Sequence, residues 1–268
     1  MAGCRHRSLA LAALAVVSGA ALPASGLDLE LYDAVLARHT REVGDVAGTR
    51  VDYAALRAAP EWERLVASLA ASDPAALRSR DERLAFWIDA YNVLAIETVV
   101  RAGPVASIRD AGSLLRPVWK RPAGRVGGRT VTLDEIEHGI LRPLGDPRIH
   151  TAIVCASTSC PSLARRAYRS EQVEAQLDAA ARAFVANREK GVRVEGRVVR
   201  LSSIFDWFAA DFATSGGVLG FVRRYAGADL AAALDALGPD PQLDYFDYDW
   251  SLNGMPQGSR PAASPDPR

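Results

Sequence analysis

The stretch 83–103, RLAFWIDAYNVLAIETVVRAG, is apolar on nearly every side when it is drawn as a helix. Ser79 and Glu82 stand before it at the spacing of a capping box, and Gly103 supplies a stop signal. A helix that is hydrophobic all round belongs in the interior of a fold rather than on its surface. We therefore predict a helix over 82–101 at the centre of the molecule.

Asp89 and Asn92 interrupt this apolar surface three positions apart, so they share one face of the helix. Burying a carboxylate without a partner is costly, which requires Asp89 to be paired, protonated or exposed to a cavity. Two interpretations stay open. The two side chains belong to a functional site, or they hold neighbouring loops in place.

The remaining chain alternates short amphipathic helices with glycine-containing hairpins, without a regular strand-helix-strand repeat. This order favours an α+β fold over a doubly wound parallel sheet. We predict a single domain over 28–253, with helices packed on a small, mostly antiparallel sheet. Its length suffices for one large core.

The two ends of the sequence predict processing and disorder. Residues 1–25 combine a basic start, an uncharged apolar run and small residues near Ala24, as in a cleaved signal peptide. The apolar run is too short for a bilayer-spanning helix, so we expect no membrane anchor in the mature chain. We expect export to the periplasm or the cell exterior. The tail 254–268 is polar and proline-rich, and we predict that it is disordered.

The charge balance limits the class of partner. The chain carries 32 basic and 32 acidic residues, and removal of Arg5 and Arg7 with the signal leaves a slight acidic excess. No basic field remains to attract nucleic acid or an anionic membrane surface. We predict a small-molecule or peptide ligand and no cofactor, and the sequence carries no signal for an oligomer.

A second informative stretch, IHTAIVCASTSC, spans 149–160 and contains His150, Cys155 and Cys160. The β-branched run 148–156 predicts a strand. Residues an odd number apart in a strand point to opposite faces, so His150 and Cys155 are not expected to pair directly.

Cys160 has a different setting, because Pro161 follows it as at a first helical position. A thiol at a helix N-cap has a lowered pKa and reacts as a thiolate. In this hypothesis Cys160 is the nucleophile and His150 or His138 is the base. The groups that orient the base are Glu137, Asp89 or Asn92.

A disulfide and a zinc site are alternatives to the thiol nucleophile. Exported cysteine pairs commonly form disulfides, and the four-residue spacer ASTS allows Cys155 to reach Cys160. The four side chains His138, His150, Cys155 and Cys160 also have the chemistry of zinc ligands, although their spacing matches no tight zinc-finger pattern. For the acid- and aromatic-rich cluster 244–250, two interpretations stay open: a packed edge strand, or a surface that stacks a sugar.

Five segments in order resemble the domain-of-unknown-function 547 family, for which no activity is settled. They are AFWIDAYNVLAIETVV, LDEIEHGILR, DPRIHTAIVCASTSCPSL, LSSIFDWFAADF and YFDYDWSLN. The resemblance covers about 50–253. That family usually has asparagine where this chain has Asp89, which places a charge at the position of an amide.

The order of elements is also similar to papain- and transglutaminase-like thiol hydrolases, which carry the nucleophile on a central helix and histidine on a later strand. Here the helix carries Asn92 and no cysteine, His150 opens the next predicted strand, and Asp249 or Asn253 lies later. Fold order alone carries little functional information.

Two functions follow from these patterns. The first is a thiol- or histidine-dependent hydrolase or transferase acting on a peptide-like or acyl substrate. The second is a non-enzymatic binding module of the cell envelope, in which a Cys155–Cys160 disulfide fixes the loop that shapes the pocket.

Overall fold

The computed structural model describes residues 26–113 and 115–256. Its α-helices are α1 Leu29–His39, α2 Tyr53–Arg57, α3 Pro60–Ala71, α4 Arg80–Ala102, α5 Val173–Ala186, α6 Ser203–Trp207, α7 Gly217–Tyr225 and α8 Ala228–Leu237. Its strands are β1 Thr40–Glu42, β2 Thr49–Val51, β3 Pro122–Val126, β4 Arg129–Thr132, β5 Val192–Glu195, β6 Val198–Leu201 and β7 Gln242–Tyr245. The predicted signal peptide lies outside the described residues.

The strands form three small sheets rather than one. The pairs β1–β2, β3–β4 and β5–β6 are antiparallel hairpins, and β7 adds to β6 in parallel. Together with the abundant helices, this arrangement confirms the α+β class.

Helix α4 is the centre of the core, as its sequence predicts. Ser79 Oγ accepts a hydrogen bond from Glu82 N, and the Glu82 carboxylate accepts one from Ser79 N. This capping box satisfies backbone donors that a helix start otherwise leaves unpaired. Leu84, Ile88 and Leu94 are fully buried. The helix therefore provides a rigid support from which buried polar side chains can be directed.

Two apolar clusters make up the core. The larger one surrounds α4, and the smaller one contains the phenylalanines of α6, α7 and the turn between them, including Phe205, Phe212 and Phe221. Tyr248 packs against both clusters. The contact between the clusters is where a pocket forms.

The prediction of a strand over 148–156 is wrong. Pro147–Thr151 forms a 3-10 turn instead, and Asp146 Oδ1 caps it by accepting from Arg148 N at 3.0 Å. Residues 152–156 are irregular and, apart from the partly exposed Cys155, buried, and several of their backbone groups bond to side chains and loops from elsewhere in the fold. His150 and Cys155 are therefore not held on opposite faces of a pleated strand.

The prediction of a helix after Cys160 is also wrong, because residues 161–164 have no helical hydrogen bonds. The Cys160 N–H instead donates to the Ser157 carbonyl in a turn at 3.2 Å. Proline at Pro161 fixes φ at a value that an extended segment accepts as readily as a helix start. Cys160 therefore lacks the helix dipole that the thiolate hypothesis assigned to it.

The C-terminal segment stays ordered beyond the predicted boundary at residue 253. Gly254 bridges to Val51, and Met255 N donates to the Val51 carbonyl at 2.9 Å. Strand β7 ends at Tyr245, so Asp249 and Asn253 lie in the irregular segment that follows it. The predicted disordered residues 257–268 lie outside the described chain. Within the described chain, no helix combines the length and the apolarity needed to cross a bilayer.

Candidate functional site

A pocket of about 190 Å³ opens where the two core clusters meet. Its lining includes the aromatic side chains of Trp119, Trp207, Tyr248 and Trp250, which we call the aromatic wall. The polar lining residues are Asp134, Glu137, His138 and His150, and Cys155 and Cys160 also border the pocket. The volume suits a small ligand or a single group of a larger one.

The aromatic wall is a connected stack. Trp207 at the end of α6 lies nearly parallel to Trp250, with ring centroids 5.8 Å apart. Tyr248 contacts both of these rings at 4.8 and 4.5 Å, and Trp119 lies 6.0 Å from Trp250. Trp207 remains 48% exposed, which is unusual for so large an apolar side chain. The wall thus presents aromatic surface that the fold itself does not cover.

A π-helix, Glu135–Leu141, places the polar residues Glu137 and His138. Thr132 Oγ1 accepts from Glu135 N at 3.0 Å, so Thr132 caps the start of this helical segment. Ile136 is buried while His138 is exposed, as their spacing predicts. Single turns of π-helix are rare and are frequent at functional sites, because the wider turn shifts the side chains on it.

Glu137 is a carboxyl on the pocket surface with a strongly perturbed acidity. Its Oε2 accepts a hydrogen bond of 3.3 Å from the Tyr91 hydroxyl on α4. Burial outweighs this bond and the nearby Arg142 charge, and it raises the pKa of Glu137 to about 7. Near neutral pH, a carboxyl with this pKa exchanges its proton readily, which a site can use for binding or for acid–base chemistry.

His150 is held rigidly in its neutral form. Its Nε2 lies 2.8 Å from Asp211 Oδ2, and its ring stacks on Phe208 with centroids 4.1 Å apart. Burial lowers the pKa of His150 to about 4, despite the opposing effect of Asp211. A neutral ring that bonds a carboxylate through Nε2 must carry its proton there, so Nε2–H is the donor.

Asp211 and Arg142 form an ion pair behind the two histidines. Arg142 donates to both carboxylate oxygens, at 2.6 and 2.7 Å, and its Nη1 donates to His138 Nδ1 at 3.0 Å. The bonds from Arg142, with a smaller contribution from His150, lower the pKa of Asp211 to about 2. The guanidinium charge is therefore compensated within this network rather than available to a ligand.

The two cysteines are joined in a disulfide, with Cα atoms 6.2 Å apart. This separation lies in the normal range for a disulfide. Cys160 is only 2% exposed, whereas Cys155 is partly exposed. The arrangement supports the bridged alternative over a free Cys160 thiol. No group of three or more metal-ligating His, Cys, Asp or Glu side chains converges within 26–113 and 115–256, so the four zinc candidates do not form a ligand set there.

Asp89 and Asn92 do not line the pocket, and both bond to backbone. Both carboxylate oxygens of Asp89 accept from Tyr168 N, at 3.1 and 3.0 Å. Asn92 donates to the Ala152 carbonyl at 3.1 Å and accepts from Val154 N at 2.8 Å. Asn92 thereby fixes the segment between His150 and Cys155. These contacts fit the interpretation in which the two side chains hold loops in place.

The structure therefore brings five predicted site residues to one pocket, namely Glu137, His138, His150, Cys155 and Cys160. Sequence reasoning missed Asp211, Tyr91 and most of the aromatic wall. Asp211, Trp207 and Trp250 do lie in the segments LSSIFDWFAADF and YFDYDWSLN, whose density of acids beside aromatics was the available signal.

Residues 74–185 match the model of a family described as a protein of unknown function, DUF547. The matched segment includes α4, the π-helix and the disulfide loop. The match supports the resemblance to this family that the five quoted sequence segments indicate. Neither the curated proteins nor the solved structures gave a match. The fold is thus an α+β domain whose residues 74–185 match the DUF547 model, and its function has to be argued from the pocket.

We expect the disulfide to be present in the isolated protein. The tryptic peptide 149–165 contains both Cys155 and Cys160 and no internal lysine or arginine. After alkylation of the unfolded, unreduced protein, mass spectrometry should find this peptide unalkylated and two mass units lighter than the reduced form. The Cys4 peptide serves as the control for labelling in the full chain. Two alkyl groups on 149–165 would contradict the disulfide and restore the thiol nucleophile.

Proposed function

We propose that this domain is a binding module whose pocket recognises a small organic ammonium group. The observation that carries the proposal is the Glu137 carboxyl, which faces an aromatic pocket with a single long hydrogen bond from Tyr91. Among the described residues, the hydrogen-bond partner of its side chain is the Tyr91 hydroxyl, 3.3 Å away, so the carboxylate has hydrogen-bonding capacity left for a ligand.

The aromatic wall supplies the second element of ammonium recognition. Faces of tryptophan and tyrosine attract cations within about 6 Å, with tryptophan the strongest. Trp207 and Trp250 already stack, so the binding of a ligand requires little further ordering of these rings. An aromatic wall and a carboxylate in one pocket suit a group that is positively charged and carries an apolar body.

The net charge of the pocket agrees with a cationic ligand. Asp134 and Glu137 lie on its surface, whereas the guanidinium of Arg142 is paired with Asp211 and that of Arg109 lies over the Trp250 ring, 5.2 Å from its centroid. His150 is neutral above its pKa of about 4. An anionic ligand would therefore meet like charges, which costs binding free energy.

This proposal predicts that ammonium binding tightens as the pH rises. A cation favours ionised Glu137, and with a pKa of about 7 the ionised fraction is about one tenth at pH 6 and nine tenths at pH 8. The affinity for benzylammonium should therefore increase about ten-fold over this range, because only the ionised fraction binds. Isothermal titration calorimetry at the two pH values measures the change.

Matched variants and ligands separate this effect from general electrostatics. Glu137→Gln should weaken binding and remove its pH dependence, while Glu135→Gln should change neither, since Glu135 pairs with Arg129 away from the pocket. Benzyl alcohol and benzoate test the need for positive charge. Equal affinity for benzyl alcohol and benzylammonium, or a pH dependence that persists in Glu137→Gln, would contradict the proposal.

The thiol- or histidine-dependent hydrolase or transferase stays a prediction for a reduced form of the chain. It requires a free Cys160, and it requires His150 to act as a base through the ring nitrogen that does not face Asp211. The alkylation of peptide 149–165 separates it from the binding module. Export to an oxidising compartment likewise stays a proposal, supported by the composition of 1–25 and by the disulfide.

A further inference from the structure

We propose that the Cys155–Cys160 disulfide is reactive and exchanges with a small thiol that enters the pocket. The proposal uses the pocket of the binding module and requires only that small molecules enter it, not that they carry an ammonium group. Three features support it: the hydrogen-bond donors around Cys160, the unequal exposure of the two cysteines, and the backbone hydrogen bonds that anchor the loop between them.

Three groups lie within hydrogen-bond distance of Cys160 Sγ, namely the Cys155 backbone N–H at 3.0 Å, the Tyr248 hydroxyl at 3.2 Å and Ser157 Oγ at 3.3 Å. The two hydroxyls also lie 3.4 and 3.3 Å from Cys155 Sγ, so the backbone N–H is the contact that distinguishes Cys160. Ser157 Oγ is 3.1 Å from the Tyr248 oxygen and donates to it, which leaves the tyrosine proton free to bond the sulfur. Burial also raises the pKa of Tyr248 above its ordinary value, so the hydroxyl keeps this proton.

These donors favour the reduced state of Cys160 over the bridged state. A disulfide sulfur is a weak acceptor, whereas a thiolate is a charged one and forms bonds about twice as strong as neutral pairs. Donors placed in advance where negative charge develops stabilise that charge without reorganisation. A thiolate stabilised in this way leaves faster in exchange. Cys160 is therefore the expected leaving group in the exchange reaction.

The exposures of the two cysteines give the direction of attack. Both border the pocket, but Cys155 is partly exposed while Cys160 is 2% exposed. An incoming thiolate therefore reaches Cys155 first. This direction differs from the prediction made from sequence, in which Cys160 was the nucleophile, because the helix expected after Cys160 is absent.

The loop does not depend on the disulfide for its shape. Thr158 N donates to the Ser251 carbonyl at 2.8 Å, Ser159 N to the Asp249 carbonyl at 3.2 Å, and Asn253 N to the Ala156 carbonyl at 3.0 Å. Closing so short a loop with a covalent bond also removes little chain entropy. Ala156, between the two cysteines, is in the left-handed region at φ 62°, a strained conformation for alanine that the surrounding bonds maintain. The loop should thus keep its position when the disulfide opens.

The exchange balances without any further group. A small thiolate RS⁻ attacks Cys155 Sγ, the Cys155–Cys160 bond breaks, and its electron pair leaves on Cys160 Sγ as a thiolate. A second small thiolate then attacks the R sulfur, which releases RSSR and leaves Cys155 as a thiolate. Two small thiols are oxidised and the protein disulfide is reduced by two electrons. A small-molecule disulfide reverses both steps.

The rate of reduction by 2-mercaptoethanol tests the proposal. Samples of folded protein are quenched with acid, alkylated and digested, and labelling of peptide 149–165 is followed with time. We expect Tyr248→Phe to react at least ten-fold more slowly than the wild type, and Tyr245→Phe, outside the pocket, to react at the wild-type rate. Labelling that appears only after unfolding, or equal rates for Tyr248→Phe and wild type, would show that the disulfide is purely structural.

Trapping variants test the direction of attack independently of Tyr248. With 2-hydroxyethyl disulfide, Cys160→Ser should acquire one mixed disulfide on Cys155, and Cys155→Ser should acquire at least ten-fold less on Cys160 in the same time. The reverse preference would overturn the assignment. The ammonium measurements use oxidised protein without thiol, and 2-mercaptoethanol is uncharged, so failure of either proposal can be recognised without the other.

Discussion

Replacing Asn92 by alanine should lower the free energy of unfolding by about 3 kcal/mol, because it leaves two buried backbone groups without partners. The amide group of Asn92 bonds the Ala152 carbonyl and Val154 N, and Asn92 itself is 2% exposed. Each unpaired buried donor or acceptor costs about 1–3 kcal/mol. Urea unfolding at pH 7 measures the change.

The segment that Asn92 holds leads from His150 to Cys155, so the loss of the amide should also affect the pocket. We expect weaker benzylammonium binding in Asn92→Ala even where the protein remains folded. Thr98→Ala is the matched control on the same helix, since Thr98 Oγ1 bonds only the Leu94 carbonyl one turn before it. A loss of less than about 1 kcal/mol in Asn92→Ala would show that water or a backbone shift replaces the amide.

Replacing Asp89 by asparagine should have the opposite sign and raise the free energy of unfolding at pH 7 by about 1–3 kcal/mol. Asp89 is 1% exposed, and burial raises its pKa well above the ordinary value, against the bonds from Tyr168 N. An asparagine oxygen still accepts from Tyr168 N, and it never has to ionise.

The pH dependence of this effect follows from proton linkage. Between the unfolded pKa of Asp89, about 4, and its raised folded pKa, the folded state binds more protons than the unfolded state. The stability contributed by Asp89 is therefore fully present below pH 4 and is lost as the pH rises. The gain from Asp89→Asn should be small at pH 4 and larger at pH 7.

Denaturant unfolding of wild type and variant at these two pH values checks the prediction. Asp81→Asn, at the partly exposed start of α4, should change stability by at most about 0.5 kcal/mol at both. A destabilised Asp89→Asn protein at pH 7 would mean that the carboxylate is ionised and stabilised by its surroundings.

The central helix was predictable because its causes are local. Ser79, Glu82 and Gly103 are capping residues at fixed offsets, and the apolar residues between them require burial whatever surrounds them. The same reasoning indicated that Asp89 and Asn92 needed partners, but it could not name Tyr168 or Ala152, which lie far along the chain. Local pattern was also misleading at 148–156, where buried β-branched residues have no neighbouring strand to pair with.

The sequence by itself determined the capped core helix and the α+β class. It also predicted a site around Glu137, His150 and the two cysteines, and both candidate states of the sulfurs. Only the tertiary structure decided which groups meet there. Asp211 bonds His150 and Trp250 faces Trp207 across long separations in the chain. Burial, a property of the whole fold, raises the pKa of Glu137 and lowers that of His150. Residue type and spacing record local geometry, whereas desolvation and long-range contacts arise only when distant segments pack together.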